Sequence, residues 1–192
     1  MRIITGSARG VRLETLEGET TRPTPERVKE AVFSAIQFDL VGKRFLDLFA
    51  GSGQMGLEAV SRGAALAVLV DEDAGAVQII KNNAKKAKLF EKCRVSNISY
   101  TAFLRGAAGK ETFDFIYLDP PFAAHLWADA LKRIRDAKIC HADSVIICES
   151  ESEELFGGRQ DVQQAYTVIK QVRYGRIVST WLKPCGEKEE KA

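Results

Sequence analysis

The chain has 192 residues, of which 45% are hydrophobic and 28% are charged, and its formal net charge is +2 at pH 7. This length suits one domain with a full core, and the composition is that of an ordinary globular protein rather than a disordered chain. No apolar run approaches the roughly 20 residues of a membrane-spanning helix, and the N-terminal sequence lacks the apolar stretch of a secretory signal. We therefore expect no association with a membrane.

The four cysteines show neither metal-binding nor disulfide spacing. None of them forms a C-x-x-C pair, and neither His125 nor His141 pairs with a cysteine at the spacing of metal ligands. Zinc sites combine such residues at short, fixed spacings, so we expect no metal ion. Free thiols, mostly in the core, are typical of a reducing compartment, which predicts a cytoplasmic location.

Residues 1–41 are predicted to form an N-terminal extension. The strand-like runs RIIT and VRLE flank the turn signal GSARG, which indicates a β-hairpin. Thr24 is a good helix N-cap, Pro25 suits the first helical position, and apolar residues then recur with helical spacing. Arg9 and Arg12 lie in or beside the hairpin turn, in a segment without acidic residues, so they are candidate phosphate contacts.

Residues 42–185 alternate between strand-like and helical segments and are predicted to form the main domain. This alternation indicates an α/β, Rossmann-like fold with a mostly parallel sheet covered on both faces. The last two strands are predicted to meet at Tyr174 and Gly175 as an antiparallel hairpin. Residues 186–192 are predicted to be a frayed polar tail. The other predicted segments are strands 45–49, 65–70, 93–97, 113–118 and 144–150, and helices 55–62, 73–89, 99–105 and 125–137.

The sequence FLDLFAGSGQMG, residues 45–56, contains a G-x-G-x-x-G motif directly after the first apolar strand. This motif is typical of dinucleotide-binding loops, in which a pyrophosphate lies against backbone N–H groups. Asp47 does not fit that ligand, because a second anion would repel the pyrophosphate. S-adenosylmethionine (SAM) has an ammonium and a sulfonium but no phosphate, and Asp47 can bind the ammonium directly or through water. The alternative is a purely structural turn.

The loop and the second strand supply further candidate contacts with SAM. Glycines 51 and 53 let the methionine part of the ligand pass close to the backbone. Asp71 follows Gly51 by 20 residues, at the end of a strand, where a carboxylate accepts hydrogen bonds from ribose hydroxyls. The candidate cofactor contacts in and beside the loop are Asp47, Phe49, Ala50, Gly51, Ser52, Gly53 and Asp71.

The sequence YLDPPF, residues 117–122, follows the fourth predicted strand and faces the same crevice, since ligands of open α/β sheets bind beyond the carboxyl ends of the strands. The two prolines fix the backbone and remove two N–H donors, so the Asp119 carboxylate and the Pro120 carbonyl are presented as acceptors. Two acceptors can hold the N–H bonds of an exocyclic base amine while its lone pair turns toward a methyl donor. Phe122 can stack on the unstacked base. The candidate catalytic residues are therefore Asp119, Pro120 and Phe122.

Together, LDLFAGSG and LDPPF resemble the class I SAM-dependent methyltransferases that modify amino nitrogens. The N-terminal segment TRPTPERVKEAVFSAI narrows the resemblance to the bacterial RsmD-like enzymes, which methylate the exocyclic N2 of a guanine in 16S ribosomal RNA. This resemblance implies a seven-stranded methyltransferase fold over residues 42–185, with SAM as the cofactor. It also implies that Asp119, Pro120 and Phe122 handle the guanine, and that the RNA lies in the small ribosomal subunit. We expect a monomer.

Two parts of the site are less defined by the resemblance. Many relatives hold the adenine of SAM with an acidic or amide residue after the third strand, where this chain has SNISY. Ser99 occupies that position, so the adenine contact comes from Ser99 or from the backbone. Arg22 and Arg27 flank the start of the N-terminal helix and either contact RNA or close over the cofactor.

The alternative function is that of a DNA or RNA adenine-N6 methyltransferase, because D-P-P-F also serves adenine. A DNA enzyme needs additional sequence to read a duplex site, and about forty residues before the fold and about ten after it leave little for that role. A nicotinamide oxidoreductase would leave Asp47 and the two prolines without a role. A non-catalytic nucleotide-binding module would leave Asp119 without one.

Overall fold

The structure is a computed structural model that describes residues 1–15, 26–121 and 126–185. The predicted helix cap with Thr24 and Pro25, the candidate residues Arg22 and Phe122, and the predicted tail lie outside the described residues. Within the described ranges, no helix is long and apolar enough to cross a bilayer.

The predicted strands and helices of the main domain appear in the predicted order, and one further short helix, at Gln160–Gln163, was not predicted. The strands are β1 (Arg44–Asp47), β2 (Leu66–Asp71), β3 (Cys93–Asn97), β4 (Phe113–Leu118), β5 (Cys140–Ser150), β6 (Tyr166–Tyr174) and β7 (Ile177–Pro184). The helices are α1 (Glu26–Ile36), α2 (Gln54–Ser61), α3 (Ala74–Lys86), α4 (Tyr100–Ala107), α5 (Leu126–Ala137) and α6 (Gln160–Gln163), with a short 3-10 turn at Phe90–Lys92.

The strands form one seven-stranded sheet in the order β3-β2-β1-β4-β5-β7-β6. Strands β1 to β5 run parallel to one another, whereas β7 pairs antiparallel with both β5 and β6. The α/β class I methyltransferase fold with a C-terminal antiparallel hairpin is therefore confirmed. Because the chain runs outward in both directions from β1 and β4, a crevice opens at their carboxyl ends.

Helices cover both faces of the sheet, as the continuous apolar strands predict. On one face, Phe45, Phe115 and Tyr117 pack among residues of α1 and α2. On the other face, Leu46 and Ile116 pack among residues of α4 and α5. Because successive side chains of a strand point to opposite faces of the sheet, consecutive residues of β1 and of β4 pack against different layers of helices.

The element ends differ from the predicted ones in a few places. Strand β5 begins at Cys140 rather than at residue 144, because a register shift against β4 lets the earlier residues pair as well. Helix α3 ends at Lys86 rather than near residue 89, and Lys88 then has a left-handed φ of 58°. All four cysteines are free, but Cys148 is the one that is fully buried, and Cys185 is exposed.

Residues 1–15 form a compact hairpin with a single antiparallel bridge, between Arg2 and Arg12, rather than two full strands. Three of its apolar side chains are buried against α2, α3 and β2, namely Ile3, Ala8 and Leu13. The N-terminal hairpin is therefore part of the main core.

Glu58 of α2 anchors this hairpin. Its fully buried carboxylate accepts hydrogen bonds from the backbone N–H groups of Ile4 and Thr5, at 2.7 and 3.0 Å. The ammonium of Lys29 on α1 is also fully buried, lies 3.7 Å from Glu58, and donates a hydrogen bond of 2.6 Å to the Arg2 carbonyl. Burial lowers the pKa of Lys29, against the opposing attraction of Glu58. These contacts join the hairpin, α1 and α2 into one unit.

Candidate active site

Three acidic side chains lie close together at the carboxyl ends of three neighbouring strands. Asp47 ends β1, Asp119 follows β4, and Glu149 is the penultimate residue of β5. Strand β4 is hydrogen-bonded to both of the others, which brings the three strand ends side by side. The charge of Asp119 raises the pKa of both Asp47 and Glu149, so the three carboxyl groups interact electrostatically.

Asp47 is almost completely buried, with 1% of its surface exposed. Its Oδ2 accepts a hydrogen bond of 3.3 Å from the Gly56 N–H, while Oδ1 has no hydrogen-bond partner among the described residues. Burial raises its pKa to about 8, with the charges of Asp119 and Asp71 acting in the same direction. The Oε1 of Gln54, at the start of α2, is a second buried oxygen without a hydrogen-bond partner among the residues that the structure describes. Such acceptors fit a cationic group such as an ammonium.

The glycine loop, residues 48–53, turns sharply between β1 and α2. Two glycines of the motif, Gly53 and Gly56, are needed for different structural reasons. Gly53 has a left-handed φ of 79° directly before α2, a conformation that favours glycine. Gly56 lies inside α2, where a Cβ atom would come within 2.8 Å of the Leu69 side chain. The last glycine of the motif therefore allows α2 to pack closely on β2, and the first two shape the loop itself.

Asp71 supports this loop from the end of β2. Its Oδ2 accepts a hydrogen bond of 2.8 Å from the Gly51 N–H, and its Oδ1 accepts one of 2.9 Å from the Asp73 N–H. Burial raises the pKa of Asp71, and these two hydrogen bonds oppose that shift. Each carboxylate oxygen keeps a further lone pair, so the predicted contact with ribose hydroxyls stays a prediction that the geometry allows.

The other candidate loop residues are held from several sides. Ala50 is buried and its N–H donates to the Val70 carbonyl at 2.9 Å. The Ser52 carbonyl accepts a hydrogen bond of 3.0 Å from the side-chain amide of Asn83. The same amide group binds both the N–H and the carbonyl of Glu14, at 2.8 and 3.1 Å. Asn83 thus ties the end of the N-terminal hairpin to the glycine loop.

Ser99 begins α4 as its N-cap. Its hydroxyl accepts a hydrogen bond of 3.3 Å from the Ala102 N–H and lies 3.0 Å from the Thr101 hydroxyl. The hydroxyl therefore already has a structural role, and the predicted adenine contact stays a prediction. The ring of Phe49 packs against Tyr100, with 5.1 Å between the centroids, and forms an aromatic surface beside Ser99.

In the D-P-P-F segment, Asp119 is half-buried, Pro120 is buried and Pro121 is exposed. Tyr117, two residues before Asp119, is fully buried near the end of β4 and anchors the chain just before it leaves the sheet. The structure thus places Asp119 and Pro120 at the same sheet edge as the glycine loop, while Phe122 lies outside the described residues.

Glu149 belongs to this cluster although no sequence motif indicates it. Its side chain is 2% exposed, and its Oε1 has no hydrogen-bond partner in the described part of the chain. The Tyr117 side chain hydrogen-bonds to the carboxyl group, and Trp127 Nε1 donates to the Glu149 carbonyl at 3.0 Å. Burial and the charge of Asp119 raise the pKa of Glu149 to about 8. The one indication of Glu149 in the sequence is that an acidic residue stands near the end of the apolar run SVIICES.

The candidate RNA contacts are exposed but lie at different places. Arg9 lies in the hairpin turn that contacts Ser61, at the opposite end of α2 from the glycine loop. Arg12 is exposed beside the bridge to Arg2, and Arg27 is exposed on the first turn of α1. Among the described residues, neither Arg9 nor Arg12 forms an ion pair. Their role in RNA binding stays a prediction.

Residues 1–183 match the family model described as Conserved hypothetical protein 95. Ribosomal RNA small subunit methyltransferase D of Escherichia coli (strain K12) is 38% identical over 156 residues, which cover 80% of this chain and 76% of that protein. The protein of the same name from Haemophilus influenzae is 34% identical over 155 residues, covering 80% of each chain. The solved structure of hypothetical protein TTHA0928 from Thermus thermophilus superposes with a TM-score of 0.78 at 30% identity, covering 96% of this chain and 99% of that one. The chain therefore belongs to the Conserved hypothetical protein 95 family and is an RsmD-like methyltransferase.

Proposed function

We propose that the protein transfers a methyl group from SAM to the exocyclic N2 amino group of a guanine in 16S ribosomal RNA of the small subunit. The observation that carries this proposal is the presence of Asp119 and Pro120 at the same sheet edge as Asp47, whose buried Oδ1 lacks a partner among the described residues. The names of the similar bacterial proteins support ribosomal RNA as the substrate.

When bound, SAM supplies an electrophilic methyl group on a sulfonium, and the bond from that methyl to sulfur breaks as the bond to nitrogen forms. The task of the protein is to hold the two partners in line. Asp47 and Gln54 present buried acceptors toward the ammonium end of the cofactor. Asp71 holds the glycine loop in shape and has lone pairs left for the ribose.

Asp119 and the Pro120 carbonyl hold the two N–H bonds of the target amine. This grip matters because the lone pair of an aromatic amine is delocalised into the ring, and must turn toward the methyl group to react. A carboxylate is too weak a base to remove a proton from the neutral amine beforehand. Asp119 instead stabilises the positive charge that develops on nitrogen, and the proton leaves after the methyl group has arrived.

Labelled SAM and small ribosomal subunits from a strain that lacks the enzyme provide the test. After incubation with the purified protein, the RNA is digested to nucleosides and the labelled nucleoside is identified. N2-methylguanosine is the expected product, whereas N6-methyladenosine would support the adenine-N6 alternative and refute the proposal. The Asp119→Ala variant should be at least about a hundredfold slower, and Asp143→Asn, which changes an exposed acid early in β5, is the matched control that should retain activity.

A further inference from the structure

Glu149 is a buried acid whose position the proposed reaction has not yet used. One of its oxygens, Oε1, has no hydrogen-bond partner among the described residues, and 2% of the residue is exposed. A buried carboxylate oxygen without a partner is costly, and native structures rarely keep one without a reason. The surroundings indicate the reason, because the side chain belongs to the cluster at the substrate end of the sheet.

The contacts of Glu149 fix its position, but they leave its Oε1 without a hydrogen bond among the described residues. The Tyr117 side chain hydrogen-bonds to the carboxyl group, and the Glu149 carbonyl accepts from Trp127 Nε1 at 3.0 Å. Its strand neighbour β4 leads directly into Asp119. Adjacent strands lie about 4.8 Å apart, so side chains at their two ends can reach neighbouring atoms of one planar base.

We propose that Glu149 determines base specificity by accepting a hydrogen bond from N1–H of the target guanine. This inference rests on the proposed guanine-N2 activity and names the group that selects the base. In guanine, N1 and the exocyclic N2 are both bonded to C2, and both carry hydrogen. One edge of the base therefore has two adjacent N–H donor groups. The N2 amino group donates to Asp119 and to the Pro120 carbonyl, and N1–H donates to Glu149.

Adenine is rejected by the same arrangement. Its N1 carries a lone pair and no hydrogen, so above pH 8, where the carboxyl group of Glu149 is mostly ionised, two lone pairs would face each other without a proton between them. A site built to bind a substrate N–H discriminates strongly against an analogue that lacks it, because the buried acceptor is then left unpaired. Asp119 and Pro120 alone would hold an amino group on either purine, so Glu149 is the group that distinguishes guanine from adenine.

The test compares guanine with 2-aminopurine, which keeps the 2-amino group but has a bare N1. After the methylated position has been mapped, each base is placed there in ligated 16S RNA and reconstituted into small subunits. Above pH 8, where the Glu149 carboxyl group is mostly ionised, the wild-type protein should methylate guanine at least about 100-fold faster than 2-aminopurine, in kcat/KM. In Glu149→Gln the amide N–H can donate to the bare N1, and the ratio should fall below about tenfold.

The ratio isolates the contact because any intrinsic difference in amine reactivity is common to both proteins and cancels. Glu153→Gln is the matched control, since Glu153 lies four residues later, is 63% exposed and pairs with Arg173. It should keep the wild-type ratio, and SAM affinity should be equal in all three proteins. If N2-methylguanosine forms but Glu149→Gln keeps the wild-type ratio, the role of Glu149 is refuted. If the wild type makes N6-methyladenosine instead, the proposed function fails as well.

Discussion

Replacing Asp47 with asparagine tests how the glycine loop binds its cofactor. The substitution keeps the shape of the side chain and the acceptor for the Gly56 N–H, but removes the negative charge. A hydrogen bond to a charged group contributes about 1.5–3 kcal/mol, so SAM should bind about 10- to 150-fold more weakly to Asp47→Asn at pH 8. NAD should bind to neither protein at comparable concentration.

The affinity of the wild-type protein should also depend on pH. Burial raises the pKa of Asp47 to about 8 in the free protein, so the side chain is mostly protonated at pH 6. An ammonium favours the ionised carboxylate, and binding must therefore release a proton below pH 8. Affinity should rise up to about tenfold per pH unit from pH 6 to 8, since a tenfold change corresponds to one pKa unit. The rise should level off toward pH 8, because an α-amino group has a pKa of about 7.7–8.0 and the ligand loses its own proton there.

Other acids face the same region, and the variant separates their effects from that of Asp47. The charges of Asp71 and Asp119 act on Asp47, and burial raises the pKa of Glu149 to about 8 as well. These three groups remain in Asp47→Asn, so any pH dependence that survives the substitution belongs to them. The variant should show a nearly flat affinity between pH 6 and 8.

Titration calorimetry in two buffers with different ionisation enthalpies measures both the affinity and the number of protons released. For the wild type we expect release approaching one proton at pH 6 to 7, and for Asp47→Asn almost none. Equal affinity of the two proteins at pH 8, or equal proton release, would refute the reasoning that Asp47 binds the ammonium.

Four further outcomes are expected. Asp71→Ala should weaken the binding of SAM and of its demethylated product alike in calorimetry, because both carry the same ribose; a loss for one ligand alone would contradict the assignment. Replacing Arg9 and Arg12 with alanine should preserve the melting temperature and the SAM affinity. It should weaken RNA binding and lower the salt dependence of the RNA affinity by about one unit of slope per lost contact, whereas unfolding of the variant would show a structural role. Single-turnover rates should decrease from wild type to Asp119→Asn to Asp119→Ala, with at least about a hundredfold loss in the last; a wild-type rate would make D-P-P-F a mere turn. Glu58→Gln should lower the free energy of unfolding in urea by about 3–5 kcal/mol, because it breaks a buried ion pair, and a loss below about 1 kcal/mol would contradict that role.

Local pattern was enough to predict the sheet and the cofactor side of the crevice. The apolar runs predicted the chain order of β1 to β5, and two strand-like runs that meet at Tyr174 and Gly175 with no helix between them indicated the closing hairpin. Parallel strands present their carboxyl ends at one edge, so Asp47 and Asp119 could be placed together although they are 72 positions apart in the sequence. Each of these inferences depends on backbone periodicity or on a general rule of topology, which a single sequence carries.

The roles of individual side chains depended on contacts that no local pattern encodes. Gly56 belongs to the same motif as Gly51, yet it serves the packing of α2 on β2, because Leu69 lies against it in space. The N-terminal hairpin is anchored by Glu58, through hydrogen bonds that span 53 and 54 positions of sequence. Glu149 joins the site because β4 and β5 pair in one particular register, and its burial leaves Oε1 without a partner among the described residues. Such interactions exist once the chain path has brought distant segments together, so the tertiary structure alone decided them.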